Sequence, residues 1–203
     1  MHPSRSGPNR WPGIAVFCSG QGTNLQAIIG AVKTGRLRAR IAAVISDQAD
    51  ALALARARRS GIDAHCIERA SYGNRAAFEQ AVIRTLAPYR IQLICLAGFM
   101  RVLSPAFIRR FRNRILNIHP ALLPAFPGSH AVRDALAWGV KVTGVTVHLV
   151  DEEVDHGPIL LQEAVAIRLA DTEASLLARL HRIEHRLYPR AIALVLSGRV
   201  RIT

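Results

Sequence analysis

Four short apolar runs, IAVFCS (14–19), IAAVIS (41–46), IQLICLAG (91–98) and RILNIH (114–119), alternate with stretches of helical periodicity, and this alternation constrains the fold most. Runs of that length carrying little polar alternation suit strands buried on both faces. The intervening segments LQAIIGAVKTG (25–35), ADALALARARRSG (49–61) and NRAAFEQAVIRTLAPYR (74–90) place apolar residues on one side of a helix. Strand and helix in alternation imply a mostly parallel twisted sheet flanked by helices, an α/β fold in a single domain. AHCIE (64–68) predicts a shorter strand, and SPAFIRRF (104–111) a short helix with Ser104 as N-cap and Pro105 at its first position. After a proline loop come a helix at 130–139, a strand at 141–150, a strand at 158–167 expected to pair antiparallel, and a long helix at 172–197 interrupted by Pro189. Residues 1–13, with three prolines and two glycines, read as a flexible tail, and 14–203 as the domain.

Half of the 203 residues are hydrophobic, enough for a sizeable core. No run approaches the ~18 apolar residues of a membrane helix, and the opening MHPSRSGPNRWPG lacks the apolar centre of a secretory signal, so a cytoplasmic protein without membrane partners is expected. Cys18, Cys66 and Cys95 are odd in number and lack zinc-type or redox spacing, reading as reduced core residues. The net charge of +13 first suggests nucleic acid. Its distribution argues against a specific one: basic residues run from Arg5 to Arg201, and the best cluster, RRFRNR at 109–114, has no series of aromatics to stack bases. A positive field equally serves small anionic substrates.

The stretch NIHPALLPAFPGSH carries the chemistry. Asn117 and His119 lie two apart on a strand and so share a face; Pro120 ends the strand. Polar groups at a strand exit are where open α/β sheets place ligands. The loop SGQGTN after the first strand is either a tight turn or an anion site of backbone N–H groups at a helix start. Leu25 stands where a dinucleotide fingerprint would have its third glycine, and no P-loop lysine follows, so neither nicotinamide nor nucleoside triphosphate binding is implied. DEEVD puts Asp151, Glu152, Glu153 and Asp155 into five positions, either as a solvated loop or as a carboxylate source for His119. Its strand is expected to end beside the carboxyl end of RILNIH. His148 in VTVHLV reads as a hydrogen-bonded strand histidine, and His181 with His185, one helical turn apart, as solvent-facing. A metal held by His119, His130, His148 and Asp155 has no supporting motif, and no metal is expected.

Taken together, SGQGTNLQAII, LAGFMRVLSPAF, NIHPALLPAFPG, VTGVTVHLVDEEVDHGPILLQ and RIEHRLYP occur in an order that resembles the phosphoribosylglycinamide formyltransferase family, a branch of the folate-dependent formyltransferases, over 14 to about 197. The resemblance implies a Rossmann-like formyltransferase fold. It implies Asn117, His119 and Asp155 as the catalytic trio, and Gly22, Thr23 and Asn24 with His181 and Glu184 as ribonucleotide contacts. It further implies a formylfolate site from Arg75, Met100, Arg101, Val102, Leu103, Asn117 and the turn Asp151, Glu152, Glu153, Val154 and Asp155. The chain departs from the family pattern at Ala125, Val132 and His181, and more conservatively at Gln21 and Thr23.

The reaction so implied moves the formyl group of 10-formyltetrahydrofolate, a co-substrate, onto the amine of glycinamide ribonucleotide in purine biosynthesis. His119 and Asn117 would stabilise the oxyanion and Asp155 would assist proton transfer. The partners expected are these small molecules; a homodimer is left open. The rivals are a formyltetrahydrofolate hydrolase, which would need an extra N-terminal domain, a methionyl-tRNA formyltransferase, which would need a C-terminal RNA-binding domain, and a non-enzymatic RNA binder.

Overall fold

The structure, a computed structural model, describes residues 11–200. Most of the expected tail therefore lies outside the described residues, while Gly13 already belongs to the first strand. The strands are β1 (Gly13–Phe17), β2 (Arg40–Ser46), β3 (Ala64–Cys66), β4 (Ile91–Leu96), β5 (Ile115–His119), β6 (Val142–Leu149) and β7 (Ile159–Ala166). The helices are α1 (Thr23–Lys33), α2 (Leu52–Arg59), α3 (Arg75–Leu86), α4 (Pro105–Arg110), α5 (Ala131–Trp138) and α6 (Glu173–Leu196). All strands join one sheet in the order β3-β2-β1-β4-β5-β6-β7.

Pairing is parallel from β3 through β5. It is antiparallel between β5 and β6 and again between β6 and β7. The antiparallel pairing expected of β7 is present, and β6 is the strand that runs against the rest. This corrects one expectation: because β6 is reversed, its carboxyl end, with Leu149 opposite Leu116, meets the amino end of β5. The acidic turn reaches the trio by folding back, not by leaving a neighbouring parallel strand.

Period-two alternation on doubly buried strands divides the core into two layers. Ile14 and Val16 of β1 pack with Leu25 and Ile28 of α1 and Leu180, Leu187 and Ile192 of α6. Ala15 and Phe17 face the other way, towards Phe78 and Val82 of α3 and Phe107 and Ile108 of α4. Helix starts follow their sequence signals: Asn74 accepts from Ala77 N at 2.8 Å, and Ser104 from Phe107 N at 3.2 Å. Thr172 and Ser175 form a capping box at the start of α6, and Pro189 lies inside that helix. Tyr188, fully buried, brings its hydroxyl within 2.8 Å of Leu96 O and 2.9 Å of Leu116 O, fastening α6 to the ends of β4 and β5. Among the described residues no helix is long and apolar enough to cross a membrane.

The order of the strands reverses at β1, which lies between β2 and β4. The carboxyl ends of β1 and β4 therefore lead their loops to opposite sides and open a crevice between them. Gly22 caps α1 at this point with φ +68°, a region that a side chain adopts reluctantly. A Cβ there would stand 2.8 Å from both Cα and Cβ of Ala53, at the start of α2. The glycine thus lets two loops pack together. Gly22→Ala is expected to cost about 2 kcal/mol or more, from left-handed strain plus a backbone clash, measured by urea denaturation; a loss under about 0.5 kcal/mol would contradict the packing argument.

Candidate functional site

Asn117 and His119 point from β5 into a cleft of about 540 Å³ that also takes in Met100 to Leu103 and Asp151 to Asp155. The trio expected from the sequence meets there. Asp155 Oδ1 accepts from Asn117 Nδ2 at 3.1 Å, and Asp155 Oδ2 accepts from Gly128 N at 2.8 Å and lies 3.3 Å from His119 Nδ1. His119 is buried, and its Nε2 donates to Phe126 O at 2.8 Å. An acceptor thus faces each of its ring nitrogens.

Asp155 itself has φ +53°, uncommon for a residue other than glycine and typical of strained functional positions. The turn that holds it is closed by Gly157, where a Cβ would stand 2.0 Å from Leu149 O. Burial works to raise the Asp155 carboxyl; hydrogen bonds from His148 and Gly128, with the charges of His119 and His148, outweigh it and hold the group below its ordinary range.

His148 is a participant that sequence reasoning did not assign. It lies opposite Asn117 in the β5–β6 register, with Nε2 3.2 Å from Asn117 Nδ2 and 3.5 Å from Asp155 Oδ1. Its Nδ1 donates to Leu149 O at 2.9 Å, which fixes the ring. An antiparallel register of VTVHLV against RILNIH would have revealed it. Thr146 was missed as well: its hydroxyl donates to Ala121 O at 2.6 Å and accepts from Leu123 N at 3.1 Å and Gln162 Nε2 at 3.0 Å, holding the proline loop over the strands.

The residues of the formylfolate expectation divide. Met100, Arg101, Val102 and Leu103 line the cleft, as do Asp151, Glu152, Glu153 and Val154. Met100 and Val102 are exposed, Leu103 is buried. Arg75 is not brought to the lining; it is exposed at the first position of α3.

The ribonucleotide expectation gathers around the start of α1. Asn24 Nδ2 donates to Glu184 Oε2 at 2.8 Å across 160 residues of sequence, and His181 Nε2 lies 4.0 Å from the same oxygen. Asn24 Oδ1 is buried without a hydrogen-bond partner. Burial raises the Glu184 carboxyl, opposed by the Asn24 bond and the charges of His181 and His119. Thr23 opens onto a groove of about 460 Å³ between α1 and α6 whose rim carries Arg36, Arg56, Arg182 and Arg186. No acidic residue occupies the first turn of α1, which leaves its dipole available to an anion.

An open α/β sheet with Asn, His and Asp converging in a cleft beside an electropositive helix start is the arrangement of a small-molecule-binding α/β fold. The family model for formyl transferase matches residues 13–192, and the chain belongs to that family. It is 42% identical over 189 residues to the phosphoribosylglycinamide formyltransferase of Escherichia coli, covering 93% of this chain and 89% of that protein. It is 47% identical to the trifunctional purine biosynthetic protein adenosine-3 of Gallus gallus over 93% of its own length, but spans only 19% of that longer protein. Among solved structures, glycinamide ribonucleotide transformylase 1 from Symbiobacterium toebii superposes with TM-score 0.93 at 50% identity, covering 97% of this chain and 92% of that one.

Asp155, partly buried, and Glu184, buried, have opposite pH signatures. Asp155 is depressed, so its contribution is full above the unfolded value of about 3.9 and is lost as pH falls through the folded value. Glu184 is raised, so its ionisation costs stability that is absent below the unfolded value of about 4.3 and grows as pH rises. Relative to the wild type, Asp155→Asn is expected to lose stability at neutral pH with a deficit that shrinks in acid. Glu184→Gln is expected to gain stability at neutral pH with a gain that vanishes in acid. Denaturation curves between about pH 3 and pH 8 read both trends.

Proposed function

We propose that this chain transfers the formyl group of 10-formyltetrahydrofolate to the primary amine of glycinamide ribonucleotide, a step of purine biosynthesis. The observation that carries the reading is the joined trio of Asn117, His119 and Asp155 in the cleft. The names of the relatives support the acceptor, and family membership supports the formyl chemistry.

In this reading the ribonucleotide lies against the start of α1. The N–H groups of Gly22, Thr23 and Asn24 and the arginine-rimmed groove attract its phosphate, with Glu184 and His181 at the ribose side. The formylfolate occupies the cleft between Met100–Leu103 and Asp151–Asp155, so the two reactants meet at His119. The neutral amine attacks the formyl carbon, a C–N bond forms, and the carbonyl pair moves onto oxygen. His119, charged and held by Asp155, donates to that oxyanion once its Nε2–H leaves Phe126 O, as does the Asn117 amide once it turns from Asp155 and His148. Preorganised donors of this kind act where charge develops and need no reorganisation of water. Asp155 then takes part in moving the amine proton to the folate nitrogen, whose bond to the formyl carbon breaks.

Arg75 is exposed and enters this reading as a contact made at the rim when the folate is bound. Formyl transfer assayed with glycinamide ribonucleotide, water and charged tRNA as competing acceptors tests the proposal. Transfer to the ribonucleotide should dominate. His119→Ala and Asp155→Asn should each lower kcat by about 100-fold or more, the scale on which a single oxyanion donor acts. Transfer to water or tRNA in preference, or near-normal turnover by either variant, would overturn the acceptor or the role.

A further inference from the structure

The segment Met100 to Leu103 has no regular secondary structure, and three of its four residues are exposed, yet it is tied down by buried carboxylates at both ends. At the far end Glu79 of α3, itself buried, accepts from Ser104 N at 2.6 Å and from the Ser104 hydroxyl. At the near end stands Asp47, just past β2, with a side chain wholly removed from solvent. Its Oδ2 accepts from Arg101 Nε at 2.6 Å and its Oδ1 from the Ser19 hydroxyl at 2.6 Å. Ser19 Oγ in turn accepts from Met100 N at 2.9 Å, and Ser19 N donates to Gly98 O at 2.9 Å.

These bonds join three strand ends. Ser19 follows β1 and opens the glycine loop, Asp47 follows β2, and Gly98 to Arg101 follow β4. A buried charge is tolerated only where hydrogen bonds and an opposite charge compensate it, so this carboxylate has few other arrangements open to it. Its removal would leave the Arg101 guanidinium and the Ser19 hydroxyl without their acceptor, and Met100 N bonded to a hydroxyl that nothing orients. The far end would stay fixed by Glu79, and the displacement would fall on residues 100 and 101.

We infer that Asp47 is a positioning residue: through Ser19 and Arg101 it sets the formylfolate-binding segment against the loop that receives the ribonucleotide phosphate. The inference rests on the proposed folate site. It goes further by assigning a role to a residue that touches neither substrate and lies 54 residues from the arginine it orients.

The test compares wild type, Asp47→Ala and Asp47→Asn in initial-rate kinetics with each substrate varied, alongside hydrogen–deuterium exchange of residues 98–103 in the ligand-free protein. Asp47→Ala should raise KM for 10-formyltetrahydrofolate about tenfold, the scale of one charge-assisted hydrogen bond, with kcat and the ribonucleotide KM within about twofold. Exchange over 98–103 should quicken. Asp47→Asn keeps an acceptor for Ser19 but sets an amide donor against Arg101, so it should fall between the two; it carries the comparison alone should Asp47→Ala not fold. An unchanged formylfolate KM, or a proportional worsening of both KM values and kcat, would overturn the inference. If the wild-type protein moves no formyl group to the ribonucleotide, the parent reading fails. The tether is then judged by exchange: quickened exchange at 98–103 sustains it, and unchanged exchange in both variants removes it.

Discussion

The carboxylate of Asp155 accepts from Asn117 and Gly128 while facing His119 and His148, and the geometry of the whole cleft depends on that one partly buried charge. It joins β5, the proline loop, β6 and the acidic turn. A charge so placed has to be satisfied from several directions, since burial opposes ionisation and the surrounding donors must outweigh it. Each of those donors is thereby oriented. The left-handed backbone at Asp155 and the close approach at Gly157 are local costs accepted for aiming the carboxylate.

What makes that aim possible is the reversal of β6. Had β6 run parallel, its turn would have emerged beside the carboxyl end of β5. Running antiparallel, it sets His148 opposite Asn117 and sends the chain into a turn that folds back over the strand. Beneath, Tyr188 bonds to the carbonyl groups of Leu96 and Leu116, so the floor of the cleft is pinned from the helix side. The face of β5 that carries Asn117 and His119 thus has little freedom to shift.

Much of this was legible in the sequence because it depends on local rules. The strand and helix alternation, the caps at Asn74, Ser104 and Thr172, and the shared face of Asn117 and His119 all follow from spacing within a few residues. The approach of Asp155 to His119 was one of two open readings of the acidic turn until the family resemblance favoured it, and that of Asn24 to Glu184 was legible only through the resemblance, since nothing local links residues 36 or 160 positions apart. The direction of β6 was not readable, because an alternating strand pattern has no sign that tells parallel from antiparallel. His148 is the hydrogen-bonded strand histidine expected, but its place opposite Asn117 was hidden for the same reason. Arg75 remained exposed at a helix start, and Asp47, in SDQAD, offered no motif although it is among the most heavily bonded side chains in the protein.

The charge of +13 is the other lesson in reading composition. Many arginines are committed to local structure: Arg101 to Asp47, Arg109 to Glu152, Arg179 to Asp171, Arg186 to Glu163, Arg38 over Trp11 and Arg114 over Phe111. They sit on different elements and face different directions, so they do not sum into a stripe that could track a nucleic-acid backbone. Where cations do converge, Arg36, Arg56 and Arg182 surround a groove beside the start of α1, sized for a small anion and adjoining a helix dipole of the right sign. The acidic residues converge elsewhere, on the turn beside the cleft. Segregating the two signs around neighbouring depressions gives each a different electrostatic preference, which a uniform basic surface could not. It is this local separation, not the net charge, that distinguishes the two depressions.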